Sequence, residues 1–209
     1  ASEVYTPNKI LNNSSISVRG DRIAEIGGKM YEDDCIIDLG NCKLLPGLID
    51  FHIHGAYGFD TMDSSFDSIN NISRYISSKG VTSFLATTVT SRMEKIRNAV
   101  ENIYYSIQKG TDGARLLGSY VEGPYISEKY KGAHNKEYIR EINIDEVEEL
   151  VKLSRNTLKV MTIAPEKKHS LDVIRYLISK GIKVSLGHSD ATYEETIKAI
   201  ECGADVAVH

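Results

Sequence analysis

In the stretch LIDFHIHGAYGFD, residues 48 to 60, an apolar run ends in two histidines one residue apart and then breaks into glycine. Side chains alternate faces along a strand, so His52 and His54 share one face while Ile53 points away. Two imidazoles at the mouth of a strand are a candidate metal pair, since neutral imidazole ligates zinc and iron; a pair of structural histidines is the competing reading. Recurrence weighs against the second. Glu122 in YVEGP, His188 in VSLGHSD and His209 in ADVAVH each also end an apolar run. Four imidazoles and a carboxylate, without a thiolate, suit Zn²⁺ or Fe²⁺ and leave room for water. A metal in such a site brings the pKa of its bound water to about 7 and polarises a neighbouring carbonyl, so hydrolysis is the chemistry to expect.

These residues need a scaffold that delivers several strand ends to one place. From residue 1 to 45 the text is short and strand-like: SSISVRGDRIAEIGG reads as a hairpin turning at GD, and CIIDLGNCKLLPG adds a strand before Pro46. This predicts a small antiparallel sheet, part of an N-terminal β-sandwich domain, that needs a partner layer. From residue 46 to 209 the apolar runs GLIDFHIH, VTSFLATT, ARLLGSYVEG, LKVMTIAP, IKVSLGHSD and ADVAVH alternate with helical patterns. Their apolar faces carry Ile69, Ile72 and Ile76; Ile96, Val100, Ile103 and Ile107; Val147, Leu150 and Val151; Ile174, Leu177 and Ile178; and Ile197 and Ile200. Asp145 with Glu148 and Thr192 with Glu195 have the spacing of a helix cap and its partner, and Gly80, Gly181 and Gly203 stand where helices stop.

Strands apolar on both faces and separated by helices predict an α/β fold with a parallel sheet. No GxGxxG follows the first strand, which argues against a dinucleotide-binding sheet. Polar groups at the C-terminal ends of several strands, Thr87, Thr88, Glu166 and Asp190 among them, point instead to a TIM-type (β/α)8 barrel, where catalytic groups converge on that rim. A full barrel takes about 250 residues. The expectation is therefore an incomplete barrel, its first five to six βα units, with His209 ending a strand in mid-barrel.

A chain of 209 residues that is 41% hydrophobic can bury a core, and a net charge of −4 without a Lys/Arg block argues against nucleic acid or anionic membrane as a partner. Cys35, Cys42 and Cys202 form no CxxC pair and read as small hydrophobes, least clearly for Cys42 in the polar GNCK. No secretory leader and no apolar run long enough to span a bilayer are seen, so a reducing, cytoplasmic setting is expected. The text opens ASEVY without an initiator methionine, which points to some processing history.

LLPGLIDFHIHG resembles the first-strand signature of the amidohydrolase superfamily. YVEGPYISEKYKGAHN, TIAPE and VSLGHSDATYEET resemble its N-acetylglucosamine-6-phosphate deacetylases, over nearly the whole chain. The HxH pair does not select a substrate; EGPY followed by KGAHN and GHSDAT is much narrower. Many superfamily members carry a carboxylated lysine on strand four, whereas Lys159 lies near the start of LKVMTIAPE. The resemblance instead makes Glu122 the carboxylate ligand. It implies that Glu122, His188 and His209 hold a principal metal, that His52 and His54 complete a second position bridged by Glu122, and that the cofactor is one or two divalent ions, zinc or iron.

His134 matches the position that contacts the sugar, with the backbone of Gly132 and Ala133 lining the same pocket; a loop histidine capping a turn is its other reading. The implied reaction is hydrolysis of the acetamide of N-acetylglucosamine 6-phosphate by metal-bound hydroxide, giving glucosamine 6-phosphate and acetate, in a homodimer. The general-base aspartate and a phosphate-binding arginine are expected beyond residue 209, since Asp60 and Asp190 read as loop or supporting groups. On that reading the 209 residues alone are inactive. Two alternatives stand: another metal amidohydrolase, acting on a cyclic amide or as a deaminase, or a non-catalytic barrel that binds metal or sugar phosphate.

Overall fold

The structure is a computed structural model that describes residues 1–28 and 35–209. The chain divides into two compact units, Ala1–Gly47 and Leu48–His209.

In the first unit, β1 (Glu3–Tyr5), β2 (Ile10–Asn12), β3 (Ile16–Arg19), β4 (Arg22–Ile26) and β5 (Lys43–Leu44) are all short. β3 and β4 form the expected antiparallel hairpin, with Gly20 at φ +61° in its turn. β1 pairs antiparallel with β2 but parallel with β5, so this sheet is mixed, not wholly antiparallel. A tight turn forces antiparallel pairing; the long connection between β4 and β5 lets the chain come back in the same direction as β1. Cys35 and Cys42 are exposed and Cys202, in the second unit, is half-buried, so none is the buried hydrophobe expected.

In the second unit, β6 (Leu48–Ile53) leads through the small hairpin β7 (Gly55–Ala56) and β8 (Phe59–Asp60) into α1 (Phe66–Ser77). There follow β9 (Val81–Thr88), α2 (Met93–Lys109), β10 (Arg115–Val121), α3 (Ile144–Leu153), β11 (Leu158–Ile163), α4 (Ser170–Ser179), β12 (Lys183–Leu186), α5 (Tyr193–Glu201) and β13 (Val206–Ala207). All six runs read from the sequence are strands, paired in parallel in the order β13-β12-β11-β10-β9-β6. Phe84 and Ala86 of β9 pack outward against Ile69, Ile72 and Ile103 of α1 and α2. Leu85, with Tyr120 and Val160, packs in a separate cluster. This is the two-faced burial that a helix-covered parallel sheet requires.

β6 and β13 are opposite edges of that sheet. Laid flat, five inter-strand steps would hold them about 24 Å apart. Yet the rings of His52, on β6, and His209, just after β13, have centroids 5.5 Å apart. The sheet is therefore curled as a barrel wall, and its two edges lean toward each other at the C-terminal ends of the strands.

Helix ends mostly follow their sequence signals. Thr192 and Glu195 form a complete capping box at α5. The cap of α3 is Asn143, whose side chain accepts from the backbone of Asp145 and Glu146; Asp145 falls inside the first turn, where its charge favours the positive helix end. In α5 the buried residue is Ala199, while Ile200 is 50% exposed. Ala199 joins Leu177 and Val184 in the core, where its small side chain permits close packing. Among the described residues no helix is long and apolar enough to cross a membrane.

Candidate metal centre

Glu122 follows the last residue of β10 in the middle of the sheet, and its side chain is 1% exposed. An isolated carboxylate so buried would be costly to ionise. It is instead ringed by five of the six histidines in the chain. Its Oε2 lies 3.3 Å from His52 Nε2, 3.0 Å from His54 Nε2 and 3.3 Å from His134 Nε2. Its Oε1 lies 3.2 Å from His188 Nε2 and 3.4 Å from His209 Nε2. Burial works to raise the Glu122 pKa, and the imidazoles of His134, His52 and His54 more than reverse it, holding the carboxyl well below the usual carboxylate range. Burial also opposes protonation of His54, but its contacts with Glu122 and the Thr87 carbonyl carry its pKa upward.

Each histidine is delivered by a different piece of local structure. His52 and His54 project from β6 and the residue after it; Thr87, at the end of β9, fixes this strand end by accepting from Ile53 N at 3.0 Å. His54 Nδ1 donates to Thr87 O at 3.2 Å. His188 sits just past β12 with φ +47°, a left-handed conformation that costs a non-glycine residue about 1–3 kcal/mol and persists only where its surroundings hold it. They do hold it. Ser127 N donates to His188 O at 2.7 Å, and Glu166, two residues past Ala164, accepts from Ser189 Oγ at 2.6 Å and from Asp190 N at 2.7 Å. His188 Nδ1 donates to Tyr130 O at 2.9 Å. His209 is the least covered of the ring, its side chain 62% exposed.

His134 does not cap a surface turn: it is buried, and Thr90, two residues past β9, contacts its Nδ1 through both backbone N–H and hydroxyl. Gly132, at φ +56°, passes so close to the His188 ring that a Cβ there would sit 3.2 Å from Cε1. Ala133 is exposed beside it. Asp190 pairs with Lys129 Nζ at 2.8 Å, and Asp60 caps the short turn Thr61–Asp63 by accepting from Met62 N. Lys159 donates to Asn156 O, toward the start of β11. Thr87 and Thr90 of TTVTS and Glu166 of TIAPE are supporting residues whose partners only the folded chain reveals.

Two buried atoms of the cluster, Glu122 Oε1 and His188 Nε2, have no hydrogen-bond partner, although they face each other at 3.2 Å. His188 Nδ1 already carries the ring proton given to Tyr130, so a neutral ring turns a lone pair toward a carboxylate lone pair. That arrangement is repulsive when empty and is relieved by a cation between the two atoms. Imidazole and carboxylate donors suit a borderline divalent metal. Two triads have ligand atoms within 4.8 Å of one another: His52, Glu122 and His209, and Glu122, His134 and His188.

The profile of the Amidohydrolase family matches residues 44–209, most of the chain. The chain belongs to the amidohydrolase family. That family is metal-dependent, and the cluster around Glu122 provides groups able to bind such a metal. Among curated relatives, the N-acetylglucosamine-6-phosphate deacetylase of Vibrio furnissii is 50% identical over 90% of this chain and 46% of its own length. The N-acetylgalactosamine-6-phosphate deacetylase of Escherichia coli O157:H7 is 43% identical over 79% of this chain and 44% of its own. A solved deacetylase from Mycobacterium smegmatis, a mutant in complex with N-acetyl-D-glucosamine-6-phosphate, superposes with a TM-score of 0.91 at 27% identity, covering 100% of this chain and 54% of that one. The chain thus spans about half the length of the relatives it matches.

Proposed function

We propose that the protein hydrolyses the acetamide of N-acetylglucosamine 6-phosphate, releasing acetate and glucosamine 6-phosphate. The observation that carries this reading is the buried carboxylate with five imidazoles focused on it, within a chain 50% identical to a named deacetylase. Glu122, His188 and His209 would hold a principal divalent ion, zinc or iron, and His52 and His54 a second, with Glu122 between them. The division of its two oxygens, one toward His188 and His209 and the other toward His52 and His54, supports that arrangement. Such an ion supplies Lewis acidity toward an amide carbonyl and makes water acidic enough to serve as nucleophile near neutral pH.

The chain's own residues bind and orient. The histidines around Glu122 hold its carboxyl well below the usual carboxylate range, so it stays ionised. The loop from Gly132 to His134 brings backbone and one imidazole up to the cluster from the β10–α3 connection, where we place the sugar. A general-base aspartate and a phosphate-binding arginine complete the proposal outside this stretch, as do a homodimeric state and a reducing, cytoplasmic setting; the latter accords with three unpaired cysteines.

The decisive experiment is acetate release by the full-length protein from N-acetylglucosamine 6-phosphate against the unphosphorylated sugar, with light scattering to read the oligomer. Turnover of both sugars at equal kcat/KM would remove the sugar-phosphate reading. A second reading is favoured by the 43% identical relative named for the galactosamine epimer, so N-acetylgalactosamine 6-phosphate belongs in the same assay.

A further inference from the structure

Three of the five histidines around Glu122 have an Nδ1 whose partner dictates where the ring proton sits. A carbonyl oxygen can only accept, and a backbone N–H can only donate. His54 Nδ1 meets Thr87 O and His188 Nδ1 meets Tyr130 O, so both rings carry the proton on Nδ1 and turn a lone pair on Nε2 toward the carboxylate. At His134 the polarity is reversed. The backbone N–H of Thr90 points at His134 Nδ1 over 3.2 Å, and Thr90 Oγ1 lies 2.7 Å from the same atom. That nitrogen must accept. A neutral His134 therefore carries its proton on Nε2, 3.3 Å from Glu122 Oε2.

We propose that Thr90 is a positioning residue that fixes His134 as an Nε2–H hydrogen-bond donor, so that His134 stands within the histidine cluster without ligating metal. Distance alone would admit it as a ligand, since its Nε2 forms a compact triad with Glu122 and His188. Proton placement sorts the rings: His54 and His188 offer lone pairs, whereas His134 offers a donor to the Glu122 carboxylate or to an electronegative atom of a bound substrate.

The surrounding packing keeps Thr90 in this place. Thr90 is 4% exposed, and Gly123, at φ +73°, approaches so closely that a Cβ there would fall 1.9 Å from Thr90 Oγ1. The glycine of EGP thus vacates the space the threonine hydroxyl occupies. One motif supplies the carboxylate and, in the next residue, the room for the group that orients a neighbouring imidazole.

The statement about ligation rests on the reading of the cluster as a metal centre; the proton position does not. Both can be read in full-length protein carrying ¹⁵N-labelled histidine. In the metal-free protein at pH 8.5, long-range ¹H–¹⁵N correlation is expected to give the Nε2–H form for His134 and the Nδ1–H form for His54 and His188. An Nδ1–H ring at His134 overturns the proposal. After loading with ¹¹³Cd, coupling to nitrogen is expected at His188 and absent at His134. Coupling at His134 overturns the sorting, while its absence from every histidine, with the ring forms as stated, overturns the metal reading alone. Thr90→Val keeps the backbone N–H, so the Nε2–H form of His134 is expected to persist, while loss of the hydroxyl contact at 2.7 Å loosens the ring and lowers kcat/KM about tenfold at unchanged metal content, the effect of one hydrogen bond. Thr90→Ser should restore the rate. An unchanged kcat/KM in Thr90→Val removes the role given to the hydroxyl.

Discussion

The middle of the six-stranded sheet and its two edges bring the same kind of side chain to one place by different means. In the middle, Glu122, His134 and His188 have side chains 1%, 4% and 9% exposed, and each ring is held by a backbone partner. At the edges, the side chains of His52, His54 and His209 are 17%, 38% and 62% exposed. A half-exposed imidazole can be satisfied by water, whereas a buried lone pair facing a buried carboxylate cannot. The difference teaches that the demand for a cation comes from the centre, and that the edge histidines adjust how it is met.

Removing the central carboxylate is the strongest way to break this contrast. Glu122→Gln should abolish stoichiometric metal and lower kcat/KM by more than about 100-fold, beyond the range of changes to supporting residues. Metal analysis on protein purified without chelator checks the first and acetate release the second. Retention of full metal content would show that the histidines alone carry the ion. Next comes the comparison of single histidines: His188→Ala is expected to lose principal metal and activity together, while His52→Ala mainly lowers the second equivalent. Equal losses would mean that centre and edge do not differ.

Glu166→Ala is a smaller perturbation of the same centre. It frees Ser189 and Asp190 and lets the strained His188 backbone relax, so metal affinity should fall by about 10–100-fold, as for other groups that orient a ligand. Isothermal titration of zinc into chelator-treated protein measures it, and an unchanged affinity would assign the strain to Ser127 and Tyr130 alone. Smallest is Thr192→Ala at the α5 capping box, expected to cost about 1 kcal/mol in urea unfolding while bound metal stays the same. A loss of metal there would show that the β12–β13 edge transmits helix fraying to His209.

Much of the scaffold was legible because local periodicity encodes it. VTSFLATT coincides with β9 at both ends, and Ile69, Ile72 and Ile76 all turn inward from α1. Where the reading failed, a tertiary choice overrode a local one. Ile200 continues an apolar spacing but faces out, because α5 is seated on Ala199. Asp145 has cap spacing with Glu148, but Asn143 reaches the first free backbone N–H groups sooner. β5 pairs parallel with β1 because its partner is chosen by a long excursion of chain. At the site, the turn-capping alternative for His134 is set aside only when Thr90, 44 positions away, is seen against its buried ring.

The sequence by itself determined which runs become strands and which residue types stand near their ends, since both follow from residue type and from side-chain alternation within a few neighbouring positions. Only the tertiary structure decided that the sheet curls until its edge histidines close over Glu122, which of the two carboxylate oxygens each ring faces, and which ring nitrogen holds a proton. Those outcomes depend on backbone N–H and carbonyl groups that almost every residue possesses alike. Their effect lies in where the fold puts them.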